Sequence, residues 1–302
     1  MTAAPGMASR IVNGLLAIDP VAKFAKHNAR NMMIKRAESI GVHWLKESAA
    51  LQARGSEVWE AERQALSQDI EYPDYYLTSF HAYESGNLSW DAATEVESAA
   101  RAVHAKIWPE LEAKGDAHLR QTYHDLLRQN IETDPQAILD VGCGAGMSTI
   151  SLQAIYPDAQ MTGLDLSDYF LAIANHRTPQ QNIQWLHRPA EETQLPDQSF
   201  DLVSICLVVH ELPQEATRKI LQEARRLLRP QGHLAIMDMN PQAEFVQRLP
   251  PYVLTLLKST EPYLDDYFSL DIEQAVQESG FMLPKVFVNS PRHRTLIAQI
   301  QG

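Results

Sequence analysis

Cysteine is scarce. Only Cys143 and Cys206 occur in 302 residues, and neither stands in a Cys-x-x-Cys pair or at Cys/His metal-ligand spacing. That argues against a disulfide framework and a cysteine-based metal site, and no metal is expected. The expectation is a reducing, cytoplasmic compartment. Long apolar runs are also missing. No stretch reaches the roughly 18–20 residues of a membrane span. Ile11–Ile18 is short, is broken by Asn13 and Gly14, and has no clear small-residue cleavage site, so no secretory signal is expected. Basic residues are outnumbered, 26 Lys/Arg against 38 Asp/Glu, for a net charge of −12. Such a field repels phosphate backbones, so a nucleic-acid partner is not expected. Internal repeats and low-complexity segments are absent.

What remains is an ordinary globular composition, 45% apolar, with its charge unevenly spread. Residues 1–54 carry eight Lys/Arg against three Asp/Glu, net +5, which leaves −17 for the remainder. A basic arm on an acidic body either docks on that body or meets an anionic membrane or partner. Asp19-Pro20 marks a helix start, a capping carboxylate followed by proline at the first helical position. Val21, Phe24, Ala25, Met32, Met33, Ala37 and Ile40 follow at near-helical spacing, with Phe24, Met32, Met33 and Ile40 near one face. Further helical segments are expected over His43–Gln68, interrupted near Gly55, and over Asp91–Gln129. Between them, six of the nineteen residues 72–90 are aromatic: Tyr72, Tyr75, Tyr76, Phe80, Tyr83 and Trp90. Residues 1–130 thus read as a mainly helical extension or cap, and 131–302 as a second unit.

From Ala137 the rhythm changes to alternating strand and helix. Strands are expected at Ala137–Val141, Gln160–Leu164, Ile183–His187, Phe200–Cys206, His233–Asp238, Pro284–Asn289 and Arg294–Ile300. Helices are expected at Gly146–Tyr156, Ser167–His176, a short Ala190–Thr193 and Gln214–Leu228. The pattern predicts an α/β fold with a Rossmann-like, seven-stranded, mostly parallel sheet that ends in an antiparallel hairpin.

The chemistry concentrates in Ile138-Leu139-Asp140-Val141-Gly142-Cys143-Gly144-Ala145-Gly146, an apolar strand entering a glycine-rich turn ahead of a helix. Glycine there lets the backbone approach a ligand closely. A dinucleotide fingerprint needs a third glycine where Met147 stands, which disfavours a dehydrogenase. Further along come Asp165 at the end of Met161-Thr162-Gly163-Leu164, then Pro189-Ala190-Glu191, Leu195-Pro196, Phe200-Asp201, Val208–Pro213 and Leu227–Leu234.

In this order and spacing, residues 137–240 resemble the class I S-adenosylmethionine (SAM)-dependent methyltransferases. The resemblance implies that the turn (Gly142, Cys143, Gly144, Gly146) and Asp165 bind SAM, with Asp165 on the ribose hydroxyls. Asp140 would lie near the SAM ammonium group, or else only shape the turn. Leu166, Ala190, Glu191 and Leu207 would complete the cofactor surface. Pro189 replaces a frequent Asp, so Glu191 or a backbone carbonyl would serve the adenine side. Cys143 reads as a small filler, since the reaction needs no covalent enzyme intermediate.

His210, at the carboxyl end of the fourth strand, is the candidate catalytic residue. It either accepts a proton from a hydroxyl or acidic carbon, or orients its loop. Glu211 is the poorer candidate, on the expectation that neighbouring side chains point opposite ways. His81, Tyr83 and Trp90 are candidate lid contacts, against simple packing. Residues 241–268, with Tyr252, Tyr263, Tyr267 and Phe268, form a second candidate lid. The expected activity is methyl transfer to a small hydrophobic molecule, on carbon or oxygen, with peripheral membrane contact through the N-terminal helix. A non-catalytic SAM-binding regulator or scaffold is the rival reading.

Overall fold

The structure is a computed structural model that describes residues 19–81, 83–179 and 182–301. The Ile11–Ile18 stretch lies outside these residues, and the side chains of Val21, Lys23, Phe24, Ala25 and Lys26 are likewise not described. Among the described residues five α-helices precede the first strand: α1 (Asp19–Ser39), α2 (Trp44–Gln52), α3 (Ser56–Leu66), α4 (Trp90–His104) and α5 (Gly115–Asn130). The continuous helix expected over Asp91–Gln129 is instead two, parted by a 3-10 turn at Pro109–Lys114. Proline lacks the amide that an unbroken helix would need there.

The sheet contains β1 (Ala137–Val141), β2 (Gln160–Asp165), β3 (Ile183–His187), β4 (Phe200–Cys206), β5 (Leu228–Met239), β6 (Lys285–Val288) and β7 (His293–Gln299), in the order β3-β2-β1-β4-β5-β7-β6. Pairings are parallel from β3 through β5, and β7 runs antiparallel to both β5 and β6. This is the expected Rossmann-like sheet with its terminal hairpin. Every residue of β1 is buried. That is why its sequence reads as a continuous apolar run around Asp140 rather than an alternation. Between the strands lie α6 (Met147–Ile155), α7 (Asp168–Arg177) and α8 (Gln214–Leu227). After β5 come α9 (Glu244–Gln247), α10 (Pro251–Thr260), α11 (Leu264–Ser269) and α12 (Ile272–Glu278). The short helix expected at Ala190–Thr193 is a turn. Arg188 donates to the Thr193 carbonyl, and Glu223 accepts from both the Thr193 amide and hydroxyl, so side chains rather than a helical ladder fix this loop.

Two cores flank the sheet. On one face α8 buries Ala216, Ile220, Leu221, Ala224 and Leu227, an i/i+4 stripe, with α11 and α12 beside it. On the other, Leu119, Tyr123 and Leu127 of α5 pack on Ile138, Leu202, Ala235 and Met237. Helix α5 is therefore a layer of the sheet sandwich, although it precedes β1. The helices α1–α4 are tied to that body as well: Arg63 on α3 pairs with Asp168 at 2.6 Å. Helix α1 turns Ile34 and Ala37 into a cluster with Val42, Trp44 and Ala102, and its Arg30 pairs with buried Glu95. Met32, expected on the apolar face, is 66% exposed, because the inward face is set by Met33, Ile34, Ala37 and Ile40. No helix among the described residues is long and apolar enough to cross a membrane.

Beneath the carboxyl end of β4, Asp116 accepts from Arg120 Nε at 3.0 Å and lies 2.7 Å from His104 Nδ1, all three side chains buried. Burial alone would raise the Asp116 pKa, but Arg120 and His104 outweigh it and hold the carboxyl well below its ordinary range. Asp116→Ala would leave Arg120 charged and buried without its counter-ion. We expect a loss of about 3–5 kcal/mol in a urea titration at pH 7. Because the folded pKa is depressed, this contribution is complete above pH ~4 and is lost as pH falls further. Equal stability of variant and wild type at pH 7 would remove the cluster from the account.

Candidate active site

The glycine turn sits at the carboxyl end of β1, where the chain connections diverge towards β2 and β4, the usual ligand crevice of an open α/β sheet. Gly142 has φ +66°, and a Cβ there would fall 2.6 Å from Val208 Cγ2. Gly146 has φ +83°, and its Cβ would fall 2.8 Å from the Trp185 ring. Both positions need glycine on conformational and steric grounds together. The Gly142 and Cys143 amides donate to the Leu164 carbonyl at 2.8 and 3.0 Å, which fastens the turn to the end of β2. The Cys143 side chain packs with Leu171, Ala174 and Trp185, and burial raises its thiol pKa well above normal, as suits an inert filler.

Asp165 ends β2 beside the turn. Its Oδ2 accepts from the Gly144 amide at 2.7 Å, and its Oδ1 accepts from the Ser167 amide at 2.7 Å. Helix α7 is capped by the Ser167 hydroxyl, which accepts from the Phe170 amide, so Asp165 is not needed as its cap. Burial pushes the Asp165 carboxyl up to about 6, against the lowering effect of those amides. Asp140 is fully buried under the turn and accepts from Ser148 Oγ and Thr149 Oγ1 at 2.6 and 2.7 Å. That geometry braces the start of α6, the turn-shaping alternative for this residue. Leu166 is buried beside Asp165. Leu207, just past β4, holds φ +61°, a left-handed conformation rare for leucine, while its amide donates to the Met237 carbonyl.

The aromatic stretch covers this crevice, though through different residues from those expected. Tyr76 donates to Asp165 Oδ1 at 3.4 Å, and Tyr75 donates to Glu191 Oε1 at 2.6 Å. Tyr72 stacks on Tyr76 and reaches His187 Nε2 at 3.1 Å. Of the three lid candidates, only His81 reaches the crevice. Its amide donates to the Thr260 carbonyl at 2.7 Å, joining both expected lid segments. His81 is exposed, at the rim of the crevice near His210. Tyr83 instead donates to Glu95 within the Arg30 ion pair, and Trp90 packs on Trp59 and Tyr169. From the second segment, Tyr263 meets Tyr75 edge-on, Tyr267 lies 6.4 Å from the His210 ring, and Phe268 packs against the core; the Tyr252 side chain is not described.

His210 sits in a 3-10 turn, Val209–Glu211, after β4. Its Nδ1 lies 2.6 Å from Asp238 Oδ1, and its amide donates to Asp238 Oδ2 at 3.1 Å. Burial opposes a charged imidazolium, but Asp238, with help from Glu261 and Glu211, prevails and holds the His210 pKa up, at about 10. Glu211 Oε1 stands 4.0 Å from His210 Nε2, so Glu211 reaches the crevice after all. Opposed neighbours are a property of strands, and a 3-10 turn does not alternate. Burial lifts the Glu211 carboxyl to about 8, and Glu261 is raised for the same first reason. Asp238 at the end of β5 and Glu261 after α10 were not anticipated. A strand-end acid could have flagged the former, but no pattern in the sequence marks the latter.

These residues suit a nucleoside with a charged tail. Asp165 offers carboxylate oxygens where ribose hydroxyls can donate. Glu191 Oε2 is sealed from solvent and has no hydrogen-bond partner among the described residues, an acceptor waiting for a donor such as an adenine amino group. A family model described as a methyltransferase domain matches residues 139–236. A demethylmenaquinone methyltransferase from Tropheryma whipplei is 31% identical over 180 residues, 56% of this chain and 71% of that protein. One from Listeria welshimeri is 34% identical over 105 residues, 33% of this chain, and the chain spans only 44% of its length. A solved structure from Nostoc punctiforme, 14% identical with a TM-score of 0.55, covers 82% of this chain and 68% of that one, and shares the fold. The chain belongs to the class I SAM-dependent methyltransferases.

Asp165→Asn keeps an acceptor and removes the charge. It should weaken SAM binding by ~1–3 kcal/mol in calorimetry. Hydroxyl donors favour the ionised carboxyl, whose pKa is raised to about 6. Wild-type affinity should therefore be full above that pH and decline below it, and the variant should lose this dependence. A pH-independent wild-type affinity would place the ribose elsewhere.

Proposed function

We propose that this protein transfers a methyl group from SAM to a small, hydrophobic acceptor bearing an ionisable hydroxyl or an activated carbon next to one. The observation that carries the reading is the 2.6 Å contact of His210 with Asp238, inside a crevice shared with Asp165. SAM supplies, when bound, an electrophilic methyl on a sulfonium, taken by direct displacement. The remaining work falls to the chain. Asp165 and the Gly142–Gly146 turn hold the nucleoside, Glu191 takes its amino side, and Leu166, Ala190 and Leu207 bound it. Tyr75, Tyr76 and His81 close the crevice and limit water, so alignment is fixed before reaction.

Of the two roles left open for His210, base or loop orienter, a base would titrate near ~6–7. A pKa held up at about 10 makes it a proton donor at neutrality instead. Glu211, lifted to about 8, is then also mostly protonated. Both can donate to an acceptor oxygen, and the imidazolium charge favours that oxygen as an anion. An acceptor whose hydroxyl has given its proton to solvent before binding is nucleophilic at oxygen and at the adjacent carbon; methylation at oxygen leaves no further proton to move, and methylation at carbon leaves one C–H proton that passes to solvent as the product forms. Nothing in the relatives' names argues against a hydrophobic acceptor, since they are named for demethylmenaquinone. The two buried free cysteines support a reducing compartment. Peripheral membrane contact belongs to the same reading, supported by the exposure of Met32 on α1.

His210→Gln keeps a donor and removes the charge. It should lower turnover by about 100-fold or more. Wild-type activity should show no decline between pH 8 and about 6 attributable to His210, whose own limb should lie near its raised pKa of about 10, above that of Glu211 at about 8. An acidic limb at ~6–7 that disappears in the variant would restore the base role. SAM binding without any label transfer to a small-molecule extract would favour the regulator.

A further inference from the structure

Three cations gather on one face of a protein whose net charge is −12. Arg36 on α1 donates from Nε to the Ala102 carbonyl at 3.2 Å, near the end of α4. Arg292, in the turn between β6 and β7, donates from Nη2 to the Lys106 carbonyl at 3.0 Å. Arg36, Lys106 and Arg292 each lack an ion pair with any described carboxylate. Burial lowers the Lys106 pKa, and Arg36 and Arg292 lower it further; burial and then Arg36 do the same to Arg292. Among the described residues only backbone carbonyls, and no carboxylate ion pair, offset their mutual repulsion.

Apolar surface adjoins them. The Arg292 guanidinium lies 3.9 Å over the Phe245 ring, and Phe245 is 40% exposed. With Leu249, Pro250 and Pro291, Phe245 lines a shallow open groove of about 600 Å³, whose Arg248 is already paired with Glu244. Met32, one helical turn before Arg36, is exposed too.

We propose that this face docks on the surface of an anionic bilayer. Lipid phosphates would relieve the unpaired cations, and Phe245, Leu249 and Met32 would enter the boundary between headgroups and chains. A free inorganic anion would leave the apolar groove unused. A second copy of the chain, placed by two-fold symmetry, would bring like charges together. The proposal rests on the membrane contact of the preceding section, to which it gives a defined surface, and vesicle binding without methyl transfer would leave it standing.

The test is co-sedimentation of the full chain with vesicles, either of phosphatidylcholine alone or mixed with phosphatidylglycerol. Pelleting should require the anionic lipid and should fall with added salt. Replacing Arg36, Lys106 and Arg292 together by Gln should weaken partitioning on the order of a hundred-fold, the sum of three surface cations. Lys106→Gln alone, at an exposed position, should weaken it several-fold. Phe245→Ser should weaken it while leaving the salt dependence. Thermal melting by circular dichroism checks each fold. Absence of wild-type pelleting at low salt, undiminished pelleting of the Lys106 and triple variants, or a dimer in sedimentation that the triple variant abolishes would each overturn the proposal.

Discussion

The site hangs on one carboxylate. Asp165 receives the Gly144 amide on one oxygen and the Ser167 amide on the other, so a single side chain sets the spacing between the glycine turn and the start of α7. The same Oδ1 meets the Tyr76 hydroxyl, which brings the covering segment to the cofactor position. Two short hydrogen bonds to a charged acceptor are strong individually. With the Tyr76 hydroxyl they join the glycine turn, the start of α7 and the covering segment at one side chain, beside the turn's own bonds to Leu164. The raised pKa of Asp165 is the cost of placing that charge where water is largely excluded.

Around this anchor the crevice is electrostatically divided. The nucleoside side offers acceptors, Asp165 and Glu191. The opposite side, His210 with Glu211, offers donors near neutrality because Asp238 sits behind the histidine and burial keeps the glutamate protonated. On the proposed reading, a donor face and an acceptor face in one crevice would tell the methyl acceptor from SAM by hydrogen-bond polarity.

How far the sequence reached differs from element to element. The first four strands were legible to within a residue because buried parallel strands write apolar runs and the turn between β1 and α6 demands glycine at fixed places, whereas β5 begins at Leu228 and not at the expected His233, running through Pro230 and Gly232 where the sequence reads as a turn. Asp165 was legible for the same reason, being the polar residue that closes such a run. Glu211 was discounted by an alternation rule that fails in a 3-10 turn. Glu261 and Tyr76 reach the crevice only through packing between segments far apart in the chain, and no local pattern encodes that. Met32 went wrong because helical spacing gives a period but leaves the rotation to whatever the helix meets, here Ala102 and Trp44.

Strand β7 lies between β5 and β6, not at the sheet edge. The β6–β7 hairpin can form from local contacts, but β5 has no partner on that side until the hairpin arrives. During folding β5 is therefore a transient edge, and its run Leu234-Ala235-Ile236-Met237 presents unpaired backbone and apolar side chains to any other chain nearby. A substitution that slowed docking of the hairpin would lengthen the exposure of that edge.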